Sequence, residues 1–434
     1  MFISPKERSR ICSIRYPALR KVWLRSVFLF LNFFLITMAL YHLKPASRSL
    51  FIDLMGADKL PYVWIGTAIS MIIFIPFYNC MVADRSRFHV VLGTCMSVIV
   101  LLLLFRFMLL KESGLTAVAF YIFVDISGVV LVEQFWSLCN SVYNTEEGKR
   151  WYGIVGIGGP LGGVVGGWTS VLLLRHTQLQ TPDLLPMTCA VILLTFNLTW
   201  IMGKIGLYCE VDSPLIFVPG QKKNNWRFLS KNRYLLLITV ILLLAQLASP
   251  LVDYQFLKTV ESNYPDRELR TEFLGFFSAV INLVAIIVNI GITPVVHRGF
   301  GVIAGLLIQP LMMTLCSFGF LLHPTLFWGT AAKISDRGLF NSINRASKEL
   351  LYVPIDPVLI YQAKAWIDMF GFRIFKVFGS LLILSVTNWL PFRINVRELG
   401  WFTVCICAVW IILVLILKQD YRMMIRKFVR SMSG

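Results

Sequence analysis

The residues KISDRGLFNSINRASKELLYVPIDPVLIYQAKAWIDMFGFRIFKVFG (333–379) decide how this chain is read. They open with Lys333, Asp336 and Arg337 inside an apolar segment and run through the polar string NSINRASKELLYVPID (341–356). They then turn at Pro354 and Pro357 and close with Asp368, Arg373 and Lys376 in the next apolar segment. A charge at membrane depth costs roughly 2.5–3.5 kcal/mol on insertion scales. Charges kept in two neighbouring segments point to an ion or substrate path, or to a structural lock such as Lys333 with Asp336 or Asp368 with Arg373. The local surplus of cations favours the path, because a pure lock tends towards neutrality.

The apolar setting extends along the whole chain. Its 434 residues are 57% hydrophobic and 15% charged, with a mean hydropathy of +0.72. Soluble domains are not this apolar. The runs 22–43, 92–110 and 402–417 span, or nearly span, an apolar core of about 30 Å, and they lack the short alternating segments of a β-barrel. The sequence therefore predicts an all-α polytopic membrane protein. Its first run is too long for a signal-peptide core and reads as a retained helix.

The predicted spans are 24–43, 62–82, 88–110, 115–139, one beginning at 153, 184–207, 234–257, 272–296, 300–322, 324–343, 365–387 and 399–417, about twelve in all. They divide into a basic tail (1–23), a six-helix bundle (24–207), a linker (208–233), a second six-helix bundle (234–418) and a basic tail (419–434). Weak echoes support two repeated halves: CNSVYNTEE (139–147) parallels FNSINRASKE (340–349), and DRSRFHVVLG (84–93) parallels HRGFGVIAG (297–305). Lysine and arginine concentrate in alternate loops, which places both termini in the cytoplasm. That distribution accounts for the net charge of +18 without a nucleic-acid partner. The nine cysteines are scattered and read as small apolar residues. No catalytic, metal or cofactor motif is present, so an enzyme is not indicated.

The first half carries its own candidates. KPASRSLFIDLMGADKLP (44–61) is semi-polar and offers Lys44 and Arg48, either for an anion or as snorkelling charges of an interfacial segment. Asp125 and Glu133 lie about two turns apart in one span. They read as a pathway or proton relay, or as partners of Arg106 or Lys44. GIVGIGGPLGGVVGGW (153–168) presents glycines four residues apart, which suits close helix packing or a hinge.

RASKELLYVPIDPVLIYQAKAWID (345–368) resembles the signature of the bacterial and plastid ATP/ADP antiporters, K-E-x-x-Y-[IV]-P-[LI]-D followed by K-x-x-x-D and G-K-S-G-G. Lys348, Glu349, Tyr352, Pro354, Asp356, Lys364, Asp368 and Lys376 fall on matching positions, whereas FKVFG (375–379) replaces the glycine-rich turn. FWSLCNSVYNTEEGKRWYG (135–153) is similar to a second pattern of that family, F-W-x-x-x-N followed by E-A-K-R-F-Y. VADRSRFH (82–89) resembles the loop between helices 2 and 3 of the related major facilitator superfamily. In the 44–61 stretch Ser47 stands where the family has a lysine.

The resemblance implies a secondary active transporter of an anionic solute working by alternating access. The solute would be a nucleotide in ATP/ADP exchange or related uptake; the alternative is a proton-coupled transporter of another small solute. It implies Lys44, Arg48, Lys348, Arg373 and Lys376 for substrate, and Asp125, Glu133, Lys149, Lys333, Asp336, Glu349 and Asp368 for coupling or gating. It also implies a single chain in a bacterial inner membrane, with lipid around it and no cofactor.

Overall fold

Lipid offers a backbone no hydrogen-bond partner, so a spanning apolar chain satisfies its own amides as helix. The computed structural model describes residues 18–82, 85–208, 232–355, 367, 371–389 and 394–433. Asp84, most of the predicted linker, Asp356, Lys364 and Asp368 lie outside them. The helices are α1 (Ala18–Met55), α2 (Leu60–Val82), α3 (Arg87–Met108), α4 (Gly114–Val142), α5 (Thr145–His176), α6 (Leu184–Lys204) and α7 (Arg233–Asn263). They continue with α8 (Arg267–Ile287), α9 (Thr293–Gly299), α10 (Val302–Leu322), α11 (Leu326–Leu339), α12 (Arg345–Tyr352), α13 (Phe372–Leu384) and α14 (Leu399–Ser433). π-helical turns join α8 to α9 at Val288–Ile292 and α11 to α12 at Phe340–Asn344.

Among the described residues, 11 helical stretches are long and apolar enough to cross a membrane. The remaining expected span is the run from α11 through α12. Lys333, Asp336 and Arg337 interrupt its apolar character but not its helix.

Several boundaries differ from the sequence reading. The 44–61 stretch is not interfacial up to Met55: it continues α1, with Ala46, Ser47, Ser49, Leu50 and Phe51 all buried. Burial around the helix, rather than one apolar stripe, explains its mixed composition. The predicted loop 135–153 shrinks to the junction between α4 and α5. Asn144 caps α5 there, accepting from the Glu147 amide at 2.8 Å while the Glu147 side chain accepts from the Asn144 amide at 3.3 Å. The polar string after Asn341 is likewise helical as far as Tyr352, and the predicted C-terminal tail continues α14 to Ser433.

The chain forms two compact units. One comprises Met1–Met55, Ser70–Pro219 and Pro265–Leu283; the other comprises Gly56–Ile69, Gly220–Tyr264 and Val284–Gly434. In the first unit Leu29, Leu43, Leu102, Phe120 and Phe135 form the core. In the second, Leu235, Ala248, Leu306, Met313 and Trp410 do so.

The glycines of α5 set the first unit's packing. A Cβ at Gly158 would lie 2.6 Å from the Phe30 carbonyl oxygen, and one at Gly166 would lie 2.5 Å from that of Met38. Gly162 meets the Phe34 carbonyl between them, so α1 and α5 touch backbone to backbone. The adjacent glycine row receives α8, with Gly163 against Asn282 at 2.6 Å and Gly167 against the Gly275 carbonyl at 2.5 Å.

Gly162→Leu is expected to destabilise the protein by about 1–3 kcal/mol or more through overpacking. Gly156→Ala is expected to be close to neutral, because its nearest contact is Trp136 at 3.8 Å. Thermal unfolding of the detergent-purified variants checks both.

Candidate functional site

In the second unit α11 carries Lys333, Asp336 and Arg337 within two turns, and α7 brings Asp253 alongside them. Lys333 Nζ contacts Asp253 Oδ1 and lies 3.1 Å from Asp336 Oδ2. Arg337 reaches Asp253 Oδ2 through Nη2 and Asp336 Oδ2 through Nε, each at 3.5 Å. Ser249 Oγ donates to Asp336 Oδ2 at 2.8 Å. Two cations therefore face two carboxylates, and this network is neutral. The Lys333–Asp336 pair offered as the lock is present. Asp253, far away in sequence, balances Lys333 and Arg337, and Lys376 of the same cationic stretch also acts on Asp253.

A polar chain continues from the network. Gln309 on α10 donates from Nε2 to the Asp336 carbonyl at 3.1 Å, and Asn344 donates to Gln309 Oε1. Asn344 ends the π turn between α11 and α12, so the irregular backbone lies beside buried polar groups. π turns recur at functional positions in helices.

The signature residues of the same unit follow. Lys348 is half-buried on α12 with Nζ 5.2 Å from the centroid of Phe372, and Glu349 beside it is exposed. Arg373 and Lys376 are half-buried on α13. Lys376 Nζ lies 5.9 Å from the ring of Trp64, at the start of α2. Asp368 lies outside the described residues, so its pairing with Arg373 is not seen.

In the first unit Lys44 and Arg48 are half-buried one turn apart on α1. Lys44 Nζ lies 5.0 Å from the Tyr41 ring, and the Arg48 guanidinium 5.8 Å from that of Tyr121 on α4. A cation over an aromatic face gains about 0.5–2 kcal/mol and keeps its hydrogen-bond donors available. Asp125, one turn beyond Tyr121, is half-buried, and Glu133 is exposed. The expected bridge from either acid to Arg106 does not form, because Arg106 is held by Asp183 on the connection to α6 at 2.7 Å. Lys44 forms no salt bridge with them either; the Tyr41 ring is its neighbour. Lys149 is exposed near the start of α5.

Sequence reasoning missed a second buried cation. Arg25, at the border between the predicted basic tail and the first span, is buried inside α1; it donates to the Val142 carbonyl and lies 3.5 Å from Glu147. Tyr143 accompanies it, hydrogen-bonded to Ser26 at 2.6 Å, and burial pushes its phenol up to about 12. The second unit has a counterpart: Tyr234 on α7 donates to the Leu351 carbonyl at 2.9 Å beside buried Tyr352.

Each unit also carries ion pairs at one end. In the first, Arg267 on α8 meets Glu112 at 3.1 Å and Asp53 at 3.5 Å, and Arg270 donates to the Ser49 carbonyl at 3.2 Å. In the second, Lys258 on α7 meets Asp58 and Glu261, both at 2.8 Å.

Removing one partner of a buried ionic network strands the others, at a cost of about 3–5 kcal/mol. Asp336→Ala is expected to show that loss as a lowered unfolding midpoint. Lys333→Met combined with Asp336→Leu is expected to recover most of it, because Asp253 and Arg337 still pair.

Residues 113–211 and 221–323 match the family model of the TLC ATP/ADP transporter. The chain is 23% identical over 307 residues to ADP,ATP carrier protein 1 of Chlamydia pneumoniae, covering 62% of this chain and 60% of that one. It is 23% identical over 350 residues to ADP,ATP carrier protein 1 of Rickettsia conorii, covering 71% and 70%. The match thus spans about three-fifths of the chlamydial carrier's length. Among solved structures, a point mutant of the nucleoside transporter NupG superposes with a TM-score of 0.67 at 12% identity, over 91% of this chain and 99% of that one. A bacterial homologue of the iron transporter ferroportin, in its inward-facing state, superposes at 0.64 with 14% identity, over 93% and 99%. These superpositions give the fold as that of the solved transporters, and in sequence the chain is similar to the TLC ATP/ADP transporter model over the matched residues and to these carriers.

Proposed function

We propose that this protein is a secondary active transporter that exchanges nucleotides, ATP for ADP or a related pair, by alternating access. The observation that carries the reading is a set of half-buried cations on apolar helices, most of them backed by an aromatic ring: Lys44 with Tyr41, Arg48 with Tyr121, Lys348 with Phe372 and Lys376 with Trp64. Lysine and arginine match phosphate charge, and arginine adds a planar fork of donors. The rings stabilise those cations in an apolar setting. The relatives named ADP,ATP carrier proteins support a nucleotide as the phosphate-bearing solute.

Lys44, Arg48, Lys348, Arg373 and Lys376 hold the substrate in this reading. Glu349 and Lys149, near the ends of α12 and α5, act in gating, together with Asp368. The sequence halves are the moving parts, joined by the 208–233 linker. Basic residues concentrated at the termini and in alternate loops support cytoplasmic termini in a bacterial inner membrane. A single chain contains all the residues named.

A second reading, proton coupling, is favoured by Asp125. This mid-span acid has no hydrogen-bond or ion-pair partner among the described residues, an arrangement that membrane helices keep for proton or ion handling.

Uptake of labelled ATP by cells expressing the protein, with and without internal ADP, tests the choice. Exchange predicts uptake stimulated by internal ADP and reduced at least about tenfold by Lys376→Ala, the loss of one desolvated charge contact. Uptake that ignores internal ADP, follows a proton gradient and disappears with Asp125→Asn favours the second reading.

A further inference from the structure

The ionic network of the second unit is uneven. Lys333 lies deep, with side-chain exposure of 8%, in contact with Asp253 and 3.1 Å from Asp336. Arg337 stands at the rim, 34% exposed, and its contacts with both carboxylates are longer, at 3.5 Å. Asp253 divides its oxygens between the two cations, Oδ1 to Lys333 and Oδ2 to Arg337. If Arg337 withdraws, Asp253 still touches Lys333, which it then shares with Asp336. Asp336 likewise keeps Lys333 and the Ser249 hydroxyl. Arg337, the most exposed member with the longer contacts, is therefore the one best placed to exchange a carboxylate for another anion.

A carboxylate and a phosphoryl group present a guanidinium with the same feature, paired anionic oxygens that accept its forked donors. We propose that Asp253 is a stand-in for the substrate's phosphoryl oxygens. It holds Arg337 while the site is empty and yields it to an incoming phosphoanion. Lys333 stays behind as the counter-ion of Asp253. Asp253 is then a positioning residue that competes with substrate, and Arg337 joins Lys348, Arg373 and Lys376 of the same unit in binding it. This rests on the reading that the solute bears phosphate.

The competition has a measurable sign. With the competitor neutralised, a phosphoanion should bind more tightly and leave more slowly. The probe is pyrophosphate, titrated by calorimetry into the purified full-length protein, with nucleotide exchange measured in proteoliposomes. Asp253→Asn is expected to lower the pyrophosphate Kd roughly 3- to 10-fold, the scale of one partly screened ion pair, and to lower KM and turnover together. Arg337→Gln is expected to raise the Kd at least about tenfold. This second variant carries the test should Asp253→Asn not fold.

An unchanged or raised Kd in Asp253→Asn overturns the proposal, even where ATP/ADP exchange by the wild type is intact. An Arg337→Gln protein that loses stability but binds pyrophosphate normally also overturns it, as does a wild-type protein that binds no pyrophosphate. Tightened pyrophosphate binding by Asp253→Asn without nucleotide exchange by the wild type sustains the proposal and removes the nucleotide reading.

Discussion

A lysine placed inside an apolar helix bundle requires a carboxylate within reach, and much of the second unit is arranged around that requirement at Lys333. Its ammonium draws Asp336 from its own helix and Asp253 from α7. The two acids in turn hold Arg337, Ser249 closes on Asp336, and Gln309 ties the α11 backbone to α10. Charge neutrality in a low dielectric thus fixes which faces of α7, α10 and α11 meet. The hydrophobic contacts around them do not discriminate in this way, because apolar side chains pack acceptably in many registers and lipid competes for the same surfaces.

The first unit solves a different problem. Its closest approach, α1 against α5, is set by glycines that admit a neighbouring backbone. Its cations are handled differently as well: Lys44 and Arg48 lie over tyrosine rings, and Arg25 is spent on a carbonyl at the end of α4. Lys333 and Arg337 of one unit are thus held by acids, while Lys44 and Arg48 of the other lie beside aromatic faces.

The number and placement of spans were legible in the sequence because hydropathy reports directly on lipid exposure. The Lys333–Asp336 pair was legible because its partners are one helical turn apart. Asp253 was not, since its partner is remote in sequence and only the packing of α7 on α11 brings them together. Arg25, at the border between tail and first span, looked like part of the tail because a basic terminus has a sufficient topological explanation. The 44–61 stretch looked interfacial because polar residues that bond within a buried helix, such as Ser47 to the Lys44 carbonyl at 3.1 Å, have the same composition as residues facing water. Asp125 and Glu133 looked alike by spacing, yet one is half-buried and the other exposed, a difference set by the rotation of α4.

The central claim is that buried and aromatic-backed cations on a major facilitator-type fold serve exchange of phosphate-bearing nucleotides. Counterflow in proteoliposomes tests it most directly: purified protein, vesicles loaded with labelled ADP, and efflux followed on adding external ATP in the presence of a protonophore. Efflux that requires external nucleotide, proceeds one for one and is indifferent to the protonophore is the predicted result. Efflux that needs no external nucleotide, or that stops when the proton gradient collapses, would contradict it.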